Sequence, residues 1–142
     1  MNVFTPKKTK YKKVHKSVRL QGSKNRKLNL LDDSVCGLKI TENGTISSVV
    51  FEAVRRTIKK KTKKLGTLKI NGFPSVPITK KALGLRMGKG SGGVDGWVLP
   101  IRAGHILFEL NNISLELGKI ALHSASFKIN LATKIICNYK IK

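Results

Sequence analysis

Acid is what this chain has least of. Seven Asp and Glu stand against 29 Lys and Arg in 142 residues, a formal net charge of +22. The acids are scattered as Asp32, Asp33, Glu42, Glu52, Asp95, Glu109 and Glu116, and the adjacent pair sits in a turn, so no carboxylate pair for acid–base catalysis is indicated. Cysteine is nearly absent. Cys36 and Cys137 lie far apart with no C-x-x-C, and read as buried or idle thiols of a reducing compartment instead of a disulfide framework or zinc site. His15, His105 and His123 share no ligand spacing, so neither a metal nor a cofactor is expected. Long apolar runs are missing too. Lysines interrupt every one well short of the roughly 18 residues of a membrane span, and no apolar block near the N-terminus suggests a secretory signal.

What remains is positive charge on a chain that can still fold. Hydrophobic residues make up 40%, enough for a core. A domain with this excess repels itself unless a polyanion lies beside it, and a pI near 10.5 is the footprint of a nucleic-acid binder. An anionic membrane is the weaker alternative, because a membrane-surface helix needs Trp or Phe on its apolar face and the first helical segment offers only Phe51. Lysine outnumbers arginine, and asparagine and isoleucine are frequent, a bias that AT-rich codons produce.

Two organisational units are expected: a basic arm over residues 1–30 and one α+β domain over residues 31–142. From Pro6 to Lys27 the arm holds ten Lys or Arg and no acid. Tyr11, Val14 and Val18 interleave the charges, as in arms that order themselves against RNA. A helix is predicted from about Ser47 to Lys64. Its apolar stripe is Ile46, Val50, Val54 and Ile58 with Val49 and Ala53 beside it, and Gly66 stops it. Between Glu52 and Asp95 a dozen Lys and Arg occur without an acid, so this helix reads as facing an external anion. A second helix is predicted from Ser114 to about Ile129, with Leu117, Ile120, Ala121, Ser124 and Ala125 inward. Strands are predicted at Val35–Ile40, Thr67–Ile70, Gly96–Ile101, His105–Leu110 and Thr133–Tyr139, and the stretch Asn71–Gly84 reads as turns. The expected architecture is α+β, two helices packed on a mixed β-sheet.

The glycine cluster Arg86–Val98, RMGKGSGGVDGWV, satisfies G-x-G-x-x-G at Gly88, Gly90 and Gly93. A dinucleotide site needs a strand before such a cluster and a helix after it, but here a proline-rich segment precedes and a strand follows. The Walker pattern fails too, since Lys89 is followed by Gly90 where Ser or Thr is required. The segment Pro77–Gly93 reads instead as a long basic loop whose backbone approaches polynucleotide phosphate. A nucleotide-dependent enzyme and a free RNA-binding chaperone are the competing readings.

Four segments in this order, PKKTKYKKVHK (Pro6–Lys16), EAVRRTIKK (Glu52–Lys60), PITKKALGLRMGKGSGGVDGWV (Pro77–Val98) and ILFEL (Ile106–Leu110), resemble the bacterial-type ribosomal protein L-sixteen family of the large subunit, with its L-ten-e relatives. The resemblance implies a non-enzymatic α+β protein embedded in large-subunit rRNA, facing the aminoacyl-tRNA site, with its glycine-rich loop directed at the peptidyl-transferase centre. Carried onto this sequence, the rRNA-binding residues are Lys7, Lys8, Lys10, Lys12, Lys13 and Lys16 of the arm, and Arg55, Arg56, Lys59 and Lys60 of the first helix. The tRNA-facing loop carries Lys80, Lys81, Arg86, Met87, Gly88, Lys89 and Gly90. The implied partners are rRNA, tRNA and neighbouring large-subunit proteins, with no membrane and no homo-oligomer. Because the family motif begins at Pro6, no room is expected for a cleaved presequence. Together with the codon bias this points to a mitochondrial ribosome, with plastid or bacterial cytoplasm as alternatives.

Overall fold

A computed structural model describes residues 4–15, 35–63 and 65–138. Its elements run β1 (Cys36–Ile40), β2 (Gly44–Ser47), α1 (Ser48–Lys61), β3 (Thr67–Ile70), β4 (Val76–Lys80), β5 (Gly93–Ile101), β6 (Ile106–Asn111), α2 (Leu115–Ser126) and β7 (Thr133–Cys137). The class is α+β, as expected. The strands, however, do not make one mixed sheet. They form a four-stranded sheet, β3-β6-β1-β7, and a three-stranded sheet, β2-β5-β4, and every strand pair among the described residues is antiparallel. The hairpin joining the consecutive strands β4 and β5 suits an antiparallel pair, whereas a parallel pair needs a long crossover, and the tight turn at Arg102–His105 carries the chain from one sheet to the other.

The core is built by alternation in β1 and by helical spacing in α1. Cys36, Leu38 and Ile40 share one face of β1, opposite Leu110 and Phe108 of β6 in register. Phe51, Val54 and Ile58 of α1 close over them, and Ala121, Leu122 and Ala125 of α2 complete the cluster. The helices lie against each other, with α2 over β1 and β7 and α1 against β2 and β5. Gly118 lets α2 settle close to β1, since a Cβ there would stand 3.3 Å from the Cys36 sulfur.

Both helices differ in detail from the sequence expectation. Ile46 belongs to β2, and Ser47 caps α1 by accepting the Val50 N–H at 3.3 Å. The buried stripe is therefore centred on Phe51, and Val49 is exposed. The helix ends at Lys61, not Lys64, because Thr62 takes the C-cap and Lys63 turns left-handed at φ 49°. Gly66 follows at φ 72°, where a Cβ would meet the Asn111 carbonyl at 2.5 Å. In α2, Leu122 is buried and Ile120 is exposed, contrary to expectation, and the helix stops at Ser126 instead of near Ile129. Strand β4 lies where turns were expected, and β2 takes up Ile46 and Ser47 from the expected helix. Pro77 is tolerated in β4 because β4 is an edge strand, which can lack one N–H donor.

The aromatic residues tie the arm to this core. Phe51 stacks against Phe108 with centroids 5.0 Å apart, and Phe4 meets Phe51 edge-on at 4.9 Å. Phe51→Ala should lower stability by about 3–5 kcal/mol in urea unfolding. A loss below about 1 kcal/mol would mean that the aromatic stack does not organise the core.

Candidate nucleic-acid interface

The loop is the connection of a β-hairpin. Strands β4 and β5 pair from Val76–Val98 to Lys80–Gly93, and the chain between them, residues 81–92, leaves the sheet. Gly92 closes its neck, where an added Cβ would lie 2.1 Å from the Lys80 carbonyl oxygen. Beyond the neck the backbone turns left-handed at Gly84, Gly88, Lys89 and Gly90. A Cβ built on any of those three glycines meets nothing within 4 Å. They are therefore present for chain reversal and backbone exposure, not for internal packing.

Side chains at the tip face outward. Leu83 is 99% exposed and Met87 93%, with Leu85, Arg86 and Lys89 exposed beside them. The tip thus sets apolar side chains beside cations, a combination able to meet an apolar face and an anion together. Lys81 braces the loop from within by donating to the Gly88 carbonyl at 2.5 Å. Lys80 is the last residue of β4 and stands at the neck instead of in the loop proper. No helix N-terminus adjoins the glycines, since β5 follows them directly, so the dinucleotide reading has no structural basis.

The arm runs from the core to this neck. At one end Phe4 sits on Phe51, with the Arg55 guanidinium 6.0 Å over the Phe4 ring. At the other, Lys13 donates to the Ser91 carbonyl at 3.2 Å. Between them Lys7, Lys8, Lys10, Lys12 and Lys13 are exposed. Lys16 lies outside the described residues. Where arm and hairpin meet, a hollow of about 630 Å³ is lined by Lys13, His15, Thr79, Lys81 and Ser91 among others. The structure thus brings Lys13 of the arm to the neck of the loop, a proximity that the sequence separation of 78 positions concealed.

On α1 the expected cations divide. Lys59 and Lys60 are exposed. Arg55 and Arg56 instead converge on Glu52, a carboxylate buried on the same helix. Arg55 makes two hydrogen bonds to it, 2.8 and 2.6 Å, and Arg56 one of 2.7 Å. The helix therefore does supply an i,i+3 and i,i+4 partner, contrary to the expectation that its charge faces only outward. The Arg55 side chain is 22% exposed and serves the fold, whereas that of Arg56 is 68% exposed and lines a hollow with Lys60 and Lys128. Hydrogen bonds from Arg55, and next from Arg56, outweigh desolvation and hold the Glu52 carboxyl at a pKa of about 2. Among the described residues, no group of three or more His, Cys, Asp or Glu could hold a metal, and no helix is long and apolar enough to cross a membrane.

The hairpin, and the arm from Pro6 onward, fall inside a family match. The profile of ribosomal protein L16p/L10e fits residues 6–136. The chain belongs to the L16p/L10e family. It is a ribosomal protein and not an enzyme. Among similar proteins, large ribosomal subunit protein uL16c of Trieres chinensis is 40% identical over 139 residues, 98% of this chain and all of its own length. Large ribosomal subunit protein uL16 of Psychrobacter cryohalolentis is 43% identical over 134 residues, 94% of this chain and 96% of its own. The uL16c of Phaeodactylum tricornutum is 38% identical over 138 residues, with the same two shares.

Sequence reasoning missed two features of this surface. One is the apolar pair Leu83 and Leu85 at the loop tip, signalled only by apolar residues set between glycines and lysines. The other is the structural use of Arg55, signalled by the i,i+3 spacing from Glu52. Glu52→Gln should cost roughly 2 kcal/mol near neutral pH, since it leaves Arg55 without its charged partner. The sign with pH follows from a depressed carboxylate pKa. The contribution is present above the unfolded value near 4.5 and is lost as pH falls through about 2. Urea titrations from pH 7 to pH 2 should show the wild type converging on the variant, and a constant gap would contradict the assignment.

Proposed function

We propose that this chain, a structural constituent of the large ribosomal subunit, binds rRNA through its arm and helix α1 and presents the hairpin loop to tRNA near the A site and the peptidyl-transferase centre. The loop carries the reading. Its tip is exposed, basic and apolar at once, its glycines leave backbone N–H groups open to approach, Lys81 braces it from within and Lys13 braces its neck. Backbone N–H groups in left-handed turns suit phosphate oxygens. Apolar side chains such as Met87 and Leu85 suit ribose and base faces. Extended from its neck, such a loop reaches up to about 20 Å, enough to leave the body of the protein for a tRNA acceptor arm.

The contacts of the basic side chains with rRNA are electrostatic in this account. Lys7, Lys8, Lys10, Lys12, Lys13 and Lys16, with Lys59, Lys60 and the exposed Arg56, replace counterions on the phosphate backbone. Residues 1–30 then act as the rRNA-binding arm and residues 31–142 as the domain that positions it. Neighbouring large-subunit proteins complete the partners, and no homo-oligomer is required. The codon-biased composition supports a mitochondrial ribosome, while relatives named uL16 and uL16c keep bacterial and plastid ribosomes as the alternatives.

Arg86→Ala should weaken A-site tRNA binding to purified ribosomes about tenfold while leaving subunit assembly near normal. Unchanged tRNA binding in mutant ribosomes would remove the loop from the account. Replacing Lys12 and Lys13 by Ala should reduce the slope of log K against log salt for rRNA binding by roughly 0.7–0.9 per lysine. An unaltered slope would show that the arm does not touch phosphate.

A further inference from the structure

The two cysteines, 101 positions apart in sequence, face each other across the β1–β7 ladder. The next pair along, Val35 and Asn138, is joined by the Asn138 N–H donating to the Val35 carbonyl at 3.0 Å. Bonded and non-bonded pairs alternate in an antiparallel ladder, so Cys36 and Cys137 form a non-hydrogen-bonded pair, the kind whose side chains lie closer. The Cα separation typical of such pairs, about 4.5 Å, falls within the range disulfides span. The sulfurs are 2.9 Å apart as free thiols.

The two sulfurs differ in access. Cys36 is fully buried beneath α2. Cys137 is half-buried and lines a hollow of about 560 Å³ between α2 and β7, with Lys119, Ile120, His123 and Ile135. Burial, and then the hydrogen bond to Cys137, push the Cys36 thiol up to about 12, while the Lys119 charge pulls the other way. A reagent therefore reaches Cys137 first, and Cys36 is placed to react only within the protein.

We propose that Cys36 and Cys137 are a redox-active dithiol, in which Cys137 accepts a small-molecule disulfide in the α2–β7 hollow and Cys36 resolves the adduct into an internal disulfide. The Cys137 thiol gives its proton to solvent and its thiolate attacks one sulfur of the disulfide. One thiolate leaves and takes up a proton, and a mixed disulfide remains on Cys137. Cys36 then loses its proton and attacks the Cys137 sulfur, the mixed disulfide breaks, and the second thiol departs. Two cysteine thiols are oxidised by two electrons, and one external disulfide is reduced to two thiols. The product joins the last strand to the sheet's interior strand β1.

The test is exposure of the reduced, folded full-length chain to oxidised glutathione, followed by intact mass and peptide mapping. The wild type should lose two hydrogens, retain no glutathione and yield a Cys36–Cys137 linked peptide. Cys36→Ala should stop with one glutathione on Cys137. Cys137→Ser should remain unmodified while folded and acquire an adduct on Cys36 only in guanidinium. Closure of the wild type should be at least about tenfold slower in guanidinium, where the fold no longer holds the sulfurs together. A folded wild type that accumulates stable glutathione adducts, or a folded Cys137→Ser that reacts as fast as Cys36→Ala, would overturn the proposal. Either result would leave the ribosomal reading untouched.

Discussion

The excess of positive charge is the constraint under which everything else in this molecule is arranged. At a net +22 a compact fold repels itself, so cations must be displaced outward and the few acids must be placed where they hold structure. The described contacts follow that logic. Glu52 gathers Arg55 and Arg56 on α1, Glu109 on β6 is joined to Asn71 and Lys69, and Glu42 accepts the Ala132 N–H at 2.7 Å. Glu52 and Glu109 do so from buried positions, and Glu42 does so at the surface. The lysines of the arm, α1 and the hairpin are left to whatever anion lies outside.

A short aromatic chain converts that surface charge into a defined shape. Phe108 on the central strand β6 holds Phe51, Phe51 holds Phe4, and Arg55 covers Phe4 while bound to Glu52. The arm therefore leaves the core at a fixed point. Lys13 then meets the hairpin neck at Ser91, so the flexible-looking basic segments are linked to one scaffold. A site built this way holds cations from distant sequence positions at fixed offsets, which is what register on a folded RNA would require.

Much of this was legible in the sequence where pattern and environment agree. The alternation of β1 and the long apolar stretch of β6 announce strands because one lines the core and the other is buried on both faces. Strand β4 was hidden because Pro77 and the flanking turn residues mimic a loop, and only its edge position makes it a strand. Ile120 was misplaced inward because α2 is apolar on more than one side, so spacing alone does not choose its buried face. The basic segments of the site were visible as composition. Their convergence at Lys13 and Ser91, and the meeting of Cys36 with Cys137, depend on tertiary register that no local pattern encodes.

The central claim is that this charge distribution exists for rRNA inside a large subunit. Its most direct test is sedimentation of a gentle lysate through a density gradient, following this protein at moderate and at high salt. The account predicts migration with the large subunit that survives the high-salt wash, because shape and backbone contacts hold the chain once its arm is embedded. Release as a light, salt-labile RNA complex would contradict it.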